Sequence, residues 1–379
     1  MKRLLFILVF LCCSFFSCFC YANENQDTQN ILNQYFQKDE FNDVDRVFRE
    51  SEYGKNFNFG ETVQKFISGD IDLSPKAVFQ YFIKTVFKEV YENLEFIRNI
   101  ILICVLSAFI RCLVQSLKNK EIGELSFYVT YIVMVISLFS SFSLSISIMY
   151  NTVQTISELM KASIPLIIGI LVMSGGSAGA YLFSSVIFSA SEFIMLFIEN
   201  FAMPLIIVSS IMQIINYLSE REILSKFSEL LKNCVSWGVK GSAIIFMGIL
   251  SLQRAGAVGG NTLINKTAKF AVNMLPVVGD VFSGTIESFS AFSGVIRTGI
   301  GTAFILGVIV FCAIPIIKIV AIIFIYKLTA SIIQPICDRR IVNCIDDMGK
   351  YTGVILSIII MSVVVFIFAL ILVISISGG

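Results

Sequence analysis

The sequence predicts an all-α, polytopic integral membrane protein with a cleavable signal peptide and a small helical extracytoplasmic N-terminal segment. Three observations predict this class. Of the 379 residues, 56% are hydrophobic and only 15% are charged, whereas soluble proteins carry about 25% charged residues. Several apolar stretches after residue 100 reach the ~20 residues that a helix needs to cross a bilayer. The acidic residues are concentrated before these stretches: residues 23–96 hold 14 of the 27 aspartate and glutamate residues.

Residues 1–22 have the composition of a secretory signal peptide. Lys2 and Arg3 charge its start, an apolar core follows, and Cys20–Ala22 offers a small-x-small cleavage motif. An uncleaved first membrane helix is the alternative. In both interpretations the chain from Asn23 onward lies outside the cytoplasm.

Residues 23–97 form the predicted extracytoplasmic helical segment. Ser74 and Pro75 are a helix start signal, with serine as N-cap and proline at the first helical position. Apolar residues then recur at helical spacing; they are Val78, Phe79, Phe82, Val86, Val90 and Leu94. This stripe can bury against its own domain, the membrane surface or a partner.

Eight membrane spans are predicted, six within residues 98–252 and two within residues 301–379. Their approximate bounds are 100–117, 125–148, 164–173, 180–198, 204–218, 235–252, 302–326 and 354–376. The third is short and ends at the glycine-rich break 174–179. Two spans instead of three within the nearly continuous apolar region 163–218 are the alternative.

Lysine and arginine in short loops predict the orientation. If the N-terminal segment lies outside, eight spans place the basic loops 118–124, 219–233 and 327–350 in the cytoplasm and the C-terminus outside. With seven spans, every loop after Ser163 would lie on the opposite side of the membrane. The basic loops 219–233 and 327–350 would then be outside, against the rule. One set of basic residues counts against eight spans because it would lie outside: Arg254, Lys266, Lys269 and Arg297.

The residues of most catalytic sites are missing. The chain has no histidine, which removes Ser–His and Cys–His catalysis and histidine-bound metals. Phosphate-binding loops are absent as well. Asp280 weakly resembles an intramembrane aspartyl protease motif, but the spans supply no second aspartate. Cys337 and Cys344 without histidine make a poor zinc site. The sequence therefore predicts no enzyme, no catalytic residue, no cofactor and no metal.

Two charges lie deep in predicted spans, Glu192 and Lys318. Charges in hydrocarbon are costly, so they usually face a bundle interior or water. This pair can form an internal ion pair, line a polar path or contact another subunit.

Residues 253–300 are a glycine-rich segment with the basic amphipathic stretch 261–274, which Pro276 ends. Two interpretations are open. One is an interfacial helix lying on the membrane. The other is a re-entrant pair of half-helices inside the protein.

The order of a leader, an acidic exported segment and a multi-span body resembles the stage III sporulation protein AE family. The likeness is strongest over residues 252–351, which include the motif Leu275–Gly279 (LPVVG) and the stretch 321–336 (AIIFIYKLTASIIQPI).

This resemblance implies a subunit of the stage III mother cell–forespore channel, a secretion-like complex required for endospore development. It implies the mother-cell membrane around the forespore as location. The implied partners are other stage III A proteins, including a cytoplasmic ATPase, and a forespore-side stage II protein. Besides the lipid bilayer, further copies of the chain are possible partners, and nucleic acid is not expected. Arg339 and Arg340 are candidate docking residues for the cytoplasmic machinery, and the alternative is that they only enforce topology. A stand-alone secondary transporter is the alternative function.

Overall fold

The computed structural model describes residue 46 and residues 83–88, 90–91, 94–116, 120–173, 178–217, 224–257 and 299–377. Throughout this part of the chain the regular elements are helical, as predicted. The signal peptide, most of the predicted extracytoplasmic segment and most of the glycine-rich segment 253–300 lie outside it.

The helices are long. Their bounds are α1 Leu94–Ser116, α2 Lys120–Met173, α3 Ala178–Phe197, α4 Met203–Asn216, α5 Ser225–Ala257, α6 Gly299–Ile333 and α7 Arg339–Ser377. A π-helix, Ile198–Ala202, joins α3 to α4 without a break, so these elements form one rod.

The structure corrects the predicted division between the second and third spans. Residues 149–163 are not a loop, because α2 is one helix of 54 residues, ~80 Å long at 1.5 Å per residue. The polar residues Gln154, Glu158 and Lys161 recur at helical spacing and are exposed together. Buried apolar residues occupy the opposite side: Met149, Val153, Ile156, Leu159 and Met160. The polar stretch is therefore one face of a helix.

The division between the fourth and fifth spans is also wrong. Pro204 would interrupt a regular α-helix because it lacks an N–H and clashes with the preceding turn. Here the π-helix widens the turn just before Pro204, and such widening accommodates local disruption without ending a helix. The Asn200 amide donates to the Leu196 carbonyl over 2.9 Å, satisfying one acceptor in this region.

Four helices in the described part are long and apolar enough to cross a membrane. They cover Tyr131–Ile164, Ser184–Asn216, Phe311–Ile333 and Arg339–Leu372. The described portions of α1 and α5, where the first and sixth spans were predicted, are not among them.

Helix α7 is the centre of the bundle. It packs against α6, α2, α3, α5 and α4. Its apolar stretch is nearly continuous, and most of the residues from Ile355 to Leu372 are buried. Near the N-terminal side of α1, Val90 and Ile97 pack on Ala321 and Ile325 of α6. An apolar helix surrounded by helices is expected to be hydrophobic all round, and residues 354–372 of α7 have that character.

Candidate functional site

The most polar part of the described bundle lies where α4 and α6 end and α5 and α7 begin. We call this region the network end. Side chains from all four helices meet there, and α2 joins them through Tyr131, whose hydroxyl donates to the Ile214 carbonyl over 2.7 Å. The same hydroxyl lies 3.9 Å from the Cys344 sulfur on α7. The network end therefore connects five helices.

Asp347 of α7 is the principal acceptor at the network end. Its Oδ2 accepts hydrogen bonds from Gln213 Nε2 over 2.7 Å and from the Tyr217 hydroxyl over 2.6 Å. Its Oδ1 accepts from Lys350 Nζ over 2.7 Å. The carboxylate side chain is only 16% exposed. Three donors thus compensate a mostly buried negative charge, as such a charge requires.

The hydrogen bonds continue from Gln213 into α5. The Ser228 hydroxyl donates to Gln213 Oε1, and Ser209 donates to the Ser228 carbonyl over 2.6 Å. The Tyr351 hydroxyl lies 3.3 Å from Ser209, and the Lys232 ammonium lies 5.4 Å from the centre of the Tyr351 ring. Hydrogen bonds and one cation–π contact therefore tie α4, α5 and α7 together.

A second carboxylate, Asp346, ties α6 to α7. It pairs with Lys327 of α6 and, over 3.0 Å, with Lys350. Together with Asp347 these groups carry two negative and two positive charges. Because the charges balance, the network end can lie at the edge of a low-dielectric region without an uncompensated ion.

Tyr217 follows α4 and donates the shortest of the three hydrogen bonds that Asp347 accepts. Burial raises the pKa of Tyr217 well above its ordinary value of 10.0, and the adjacent Asp347 carboxylate raises it further. The phenol therefore stays protonated and remains a donor to Asp347 through the physiological range.

The chemistry of the network end is that of a clamp. Its acidic groups are engaged by hydrogen-bond donors and ammonium groups from neighbouring helices. Within the described ranges, no three histidine, cysteine, aspartate or glutamate residues gather as metal ligands would. The contacts fix the relative positions of helix ends, and that is the function which their geometry supports.

The candidate residue Glu192 of α3 lies far from the network end. It forms an ion pair with Lys161 of α2, Nζ to Oε1 3.2 Å, and its Oε2 is buried without a hydrogen-bond partner. Lys318, the other deep charge, is half-buried on α6, which packs on α7, α1 and α2. The partner of Glu192 that the structure identifies is thus Lys161, a residue that the sequence did not single out.

The candidate docking residues are the first two residues of α7. Asp338 precedes them as the N-cap, and its Oδ1 accepts from the Arg340 backbone N–H over 2.9 Å. The Arg340 side chain also lies 3.7 Å from this carboxylate and is 33% exposed. Arg339 is exposed. Of the two, Arg339 is therefore the more accessible to a partner.

The network residues were missed from the sequence, although one signal was available. Gln213 and Asn216 interrupt an otherwise apolar helix, and both are buried. Buried polar side chains need hydrogen-bond partners, so they indicate a polar cluster. They do not indicate that Asp347 completes it.

Comparison with known proteins gives the family. The family model described as stage III sporulation protein AE matches residues 57–378, which is most of the chain. The chain belongs to the stage III sporulation protein AE family. It is similar to the stage III sporulation protein AE of Bacillus subtilis (strain 168), with 29% identity over 294 residues, covering 76% of this chain and 73% of the relative. No solved structure matches.

Membership of the stage III sporulation protein AE family supports a role in sporulation. The resemblance inferred from the sequence is therefore confirmed. The apolar helices indicate a membrane protein, and the family is not a known enzyme family.

Proposed function

We propose that this chain is an integral membrane subunit of the stage III mother cell–forespore channel, a secretion-like complex required for endospore development. It resides in the mother-cell membrane around the forespore. The observation that carries the proposal is the network end, a charge-balanced clamp beneath a bundle of membrane-length apolar helices. A clamp of this kind provides a rigid surface on which other subunits can assemble.

The spacing of polar groups supports a position within a bilayer. Along the α3–π–α4 rod, Glu192 and Gln213 are ~30 Å apart at 1.5 Å per residue. This separation equals the thickness of a typical hydrocarbon core, ~30 Å. The network end therefore lies at one boundary of the membrane and the Lys161–Glu192 pair at the other.

The basic residues support a cytoplasmic network end. Lys327, Arg339 and Arg340 flank the connection between α6 and α7, and Lys226 and Lys232 lie in the first turns of α5. Lysine and arginine concentrate on the cytoplasmic side of membrane proteins. With the predicted first span over α1, the segment before α1 then lies outside the cytoplasm, as the predicted signal peptide requires.

The partners fit the same arrangement. Arg339 and Arg340 begin a helix, where cations are disfavoured by the helix dipole by ~0.3–1 kcal/mol. Helix stability therefore does not explain their presence, and they can bind an acidic surface. A cytoplasmic ATPase among the other stage III A proteins supplies that surface, while a forespore-side stage II protein acts across the intermembrane space.

The test is recovery of the complex from sporulating cells. We expect the wild-type chain to co-purify with other stage III A proteins, and Arg339→Ala/Arg340→Ala to lose the ATPase. Arg98→Ala is the control, because Arg98 is an exposed arginine on α1 that pairs with Glu95 over 2.9 Å. A wild-type chain recovered free of sporulation proteins would contradict the proposal.

A charge-preserving variant distinguishes a docking role of Arg339 and Arg340 from a role in setting the membrane orientation. Arg339→Lys/Arg340→Lys keeps the positive charge that sets orientation but loses the planar guanidinium fork. Loss of the ATPase from this variant, with unchanged orientation of a C-terminal reporter, supports docking. Inverted orientation of the double alanine variant would instead assign the arginines to topology.

A stand-alone secondary transporter is not favoured. Its expected binding regions, the break at 174–179 and the glycine-rich segment 253–300, lie mainly outside the described residues. Solute uptake into liposomes that contain only this chain would favour a transporter. Absence of uptake together with recovery of the complex would favour a subunit.

A further inference from the structure

Helix α5 runs beside the apolar rod α3–π–α4 instead of lying flat against the bundle. Near its start, Ser228 contacts Ser209 of α4. Ten residues later, Gly238 packs so closely under Phe197 that an added Cβ would lie 2.6 Å from the ring Cζ. Phe246 and Met247 are buried further along. The helix therefore passes through the same thickness as the rod that it accompanies.

The outward side of α5 carries polar residues. Glu229, Asn233 and Lys240 are exposed, and their spacing of four and seven residues places them on one face of the helix. We call these three residues the polar stripe. Glu229 has a neutralising partner, because Lys226 Nζ lies 3.5 Å from its carboxylate. Among the described residues, Lys240 has no such ion-pair partner.

Lys240 lies far along α5 from the network end. It is ~18 Å along the helix from Ser228, at 1.5 Å per residue, and Ser228 belongs to the network end. It thus lies about midway between the two polar boundaries. Charged groups in hydrocarbon are costly and normally face protein or water.

The neighbouring rod shows what a lipid-facing surface of this bundle looks like. Its exposed large side chains are apolar and follow the rod for its whole length: Phe193, Phe201, Val208 and Ile215. Helix α5 also exposes large apolar side chains, among them Leu230, Trp237 and Ile245, so polar and apolar surface are segregated around α5 itself. Such segregation is typical of a membrane protein with one face on lipid and another on water.

We infer that the polar stripe of α5 lines a water-filled path that enters the membrane at the network end and reaches Lys240 about halfway across, and that Lys240 makes this path favour anionic solutes. The inference rests on the proposed function, because the remaining walls of the path come from the assembled complex. The shared polarity of the stripe selects water over lipid. The charge of Lys240, which has no ion-pair partner in the described chain, selects negative over positive ions.

The test measures water access to single cysteines in the full-length chain, in membranes from sporulating cells. Native Cys234 is exposed on α5 and Cys337 is half-buried, so in all variants the six native cysteines after residue 22 are replaced by serine or alanine. Charged methanethiosulfonate reagents attack the thiolate, which forms in water and not in lipid. We expect Lys240→Cys to react at least about tenfold faster than Phe201→Cys. Phe201 is the matched control, because it lies at a similar depth and is 60% exposed on the apolar rod.

A second comparison tests the charge preference. With Asn233→Cys as the reporter, Lys240→Gln is expected to lower the rate ratio of the sulfonate to the trimethylammonium reagent by about threefold or more. An unchanged ratio would overturn the anion preference. Equal rates at Lys240→Cys and Phe201→Cys would overturn the water-filled path. If Lys240→Cys fails to accumulate, Asn233→Cys is compared instead with Val208→Cys, an exposed rod residue at about the same distance from the network end.

The labelling result is separable from the proposed function. Fast labelling of the stripe in a chain that purifies without sporulation proteins would overturn the complex and leave only the finding that the stripe faces water. Slow labelling in a chain that recovers its partners would overturn the path and leave the complex.

Discussion

Gln213 and Asp347 are 134 residues apart in the sequence and share a hydrogen bond of 2.7 Å between amide Nε2 and carboxylate Oδ2. This contact joins the end of α4 to the beginning of α7, the most buried helix of the bundle. Because Gln213 also accepts from Ser228 of α5, one side chain coordinates three helices. Satisfied buried hydrogen-bond networks make a fold rigid, and the bonds of Gln213 and Asp347 meet that condition, whereas the nearby Asn216 Nδ2 is buried without a partner among the described residues.

Asp347→Asn is expected to destabilise the chain by ~2–3 kcal/mol, since it removes the charge from an acceptor of three hydrogen bonds. Thermal unfolding of the full chain in detergent measures the effect. The control is Asp346→Asn, at a side chain that is 32% exposed, where the expected loss is ~1 kcal/mol. Equal losses in the two variants would show that Asp347 is not the centre of the network.

Tyr217→Phe tests the second donor to Asp347 through its pH dependence. The pKa of Tyr217 is raised in the folded chain above its ordinary value of 10.0. Its contribution to stability is therefore present below pH ~10 and is lost as the pH rises further, because the unfolded phenol then ionises first. We expect the melting temperature of the wild type to fall between about pH 10 and pH 11 and that of Tyr217→Phe to fall less. Identical pH profiles would contradict the raised pKa.

The sequence predicted the helical membrane class because that class depends on local composition. An apolar stretch such as residues 354–376 can be recognised as a span without knowing which residues pack against it. The predicted division into helices was wrong where polar residues were interpreted as a loop. Glu158 and Lys161 look like part of a loop in a list of residues, yet they share one exposed face of α2.

Tertiary partners could not be predicted in the same way. Glu192 is obvious in the sequence as a deep charge, but its partner depends on the length of α2. Because α2 continues past residue 148, Lys161 reaches the level of Glu192 and pairs with it. The network end has the same origin, since no local pattern connects Gln213 with Asp347.

A double-mutant cycle measures the Lys161–Glu192 pair. Lys161→Ala leaves the Glu192 carboxylate, which is 24% exposed, without its cation and is expected to cost ~1–2 kcal/mol. Adding Glu192→Gln is expected to recover ~1 kcal/mol of that loss. The same cycle on Lys226 and Glu229, whose lysine side chain is 92% exposed, should give a coupling of ~0.5 kcal/mol or less. If the coupling energy of Lys161–Glu192 is no larger than that of Lys226–Glu229, the pair contributes no more to stability than an exposed ion pair.

Gly238 is expected to be intolerant of a side chain because of its contact with Phe197. A Cβ at this position would lie 2.6 Å from the ring, whereas a Cβ at Gly241 would meet nothing within 4 Å. Gly238→Leu should therefore cost ~2–3 kcal/mol through displacement of the ring. Gly241→Leu should be neutral or gain up to ~1 kcal/mol from helix propensity. Unfolding in detergent compares them, and similar stabilities would argue against close packing of α5 on the rod.

The connection between α2 and α3 is expected to lie on the opposite side of the membrane from the network end. Both α2 and the α3–π–α4 rod are continuous, so the chain leaves the network end along one and returns along the other. Eight separate spans would instead place Ser177 in the cytoplasm. A phosphatase reporter inserted at Ser177 should thus be active, as it is only outside the cytoplasm.

The matched insertion is at Ile336, which is exposed in the turn between α6 and α7 at the network end. There the phosphatase should be inactive and a fluorescent protein should fold. Activity at Ile336 and not at Ser177 would invert the chain and place Arg339 and Arg340 outside. Inactivity at both sites would mean that one of the two long rods does not cross the bilayer as a unit. Because the three results are mutually exclusive, this pair of insertions decides between continuous rods and the divided spans that the sequence suggested.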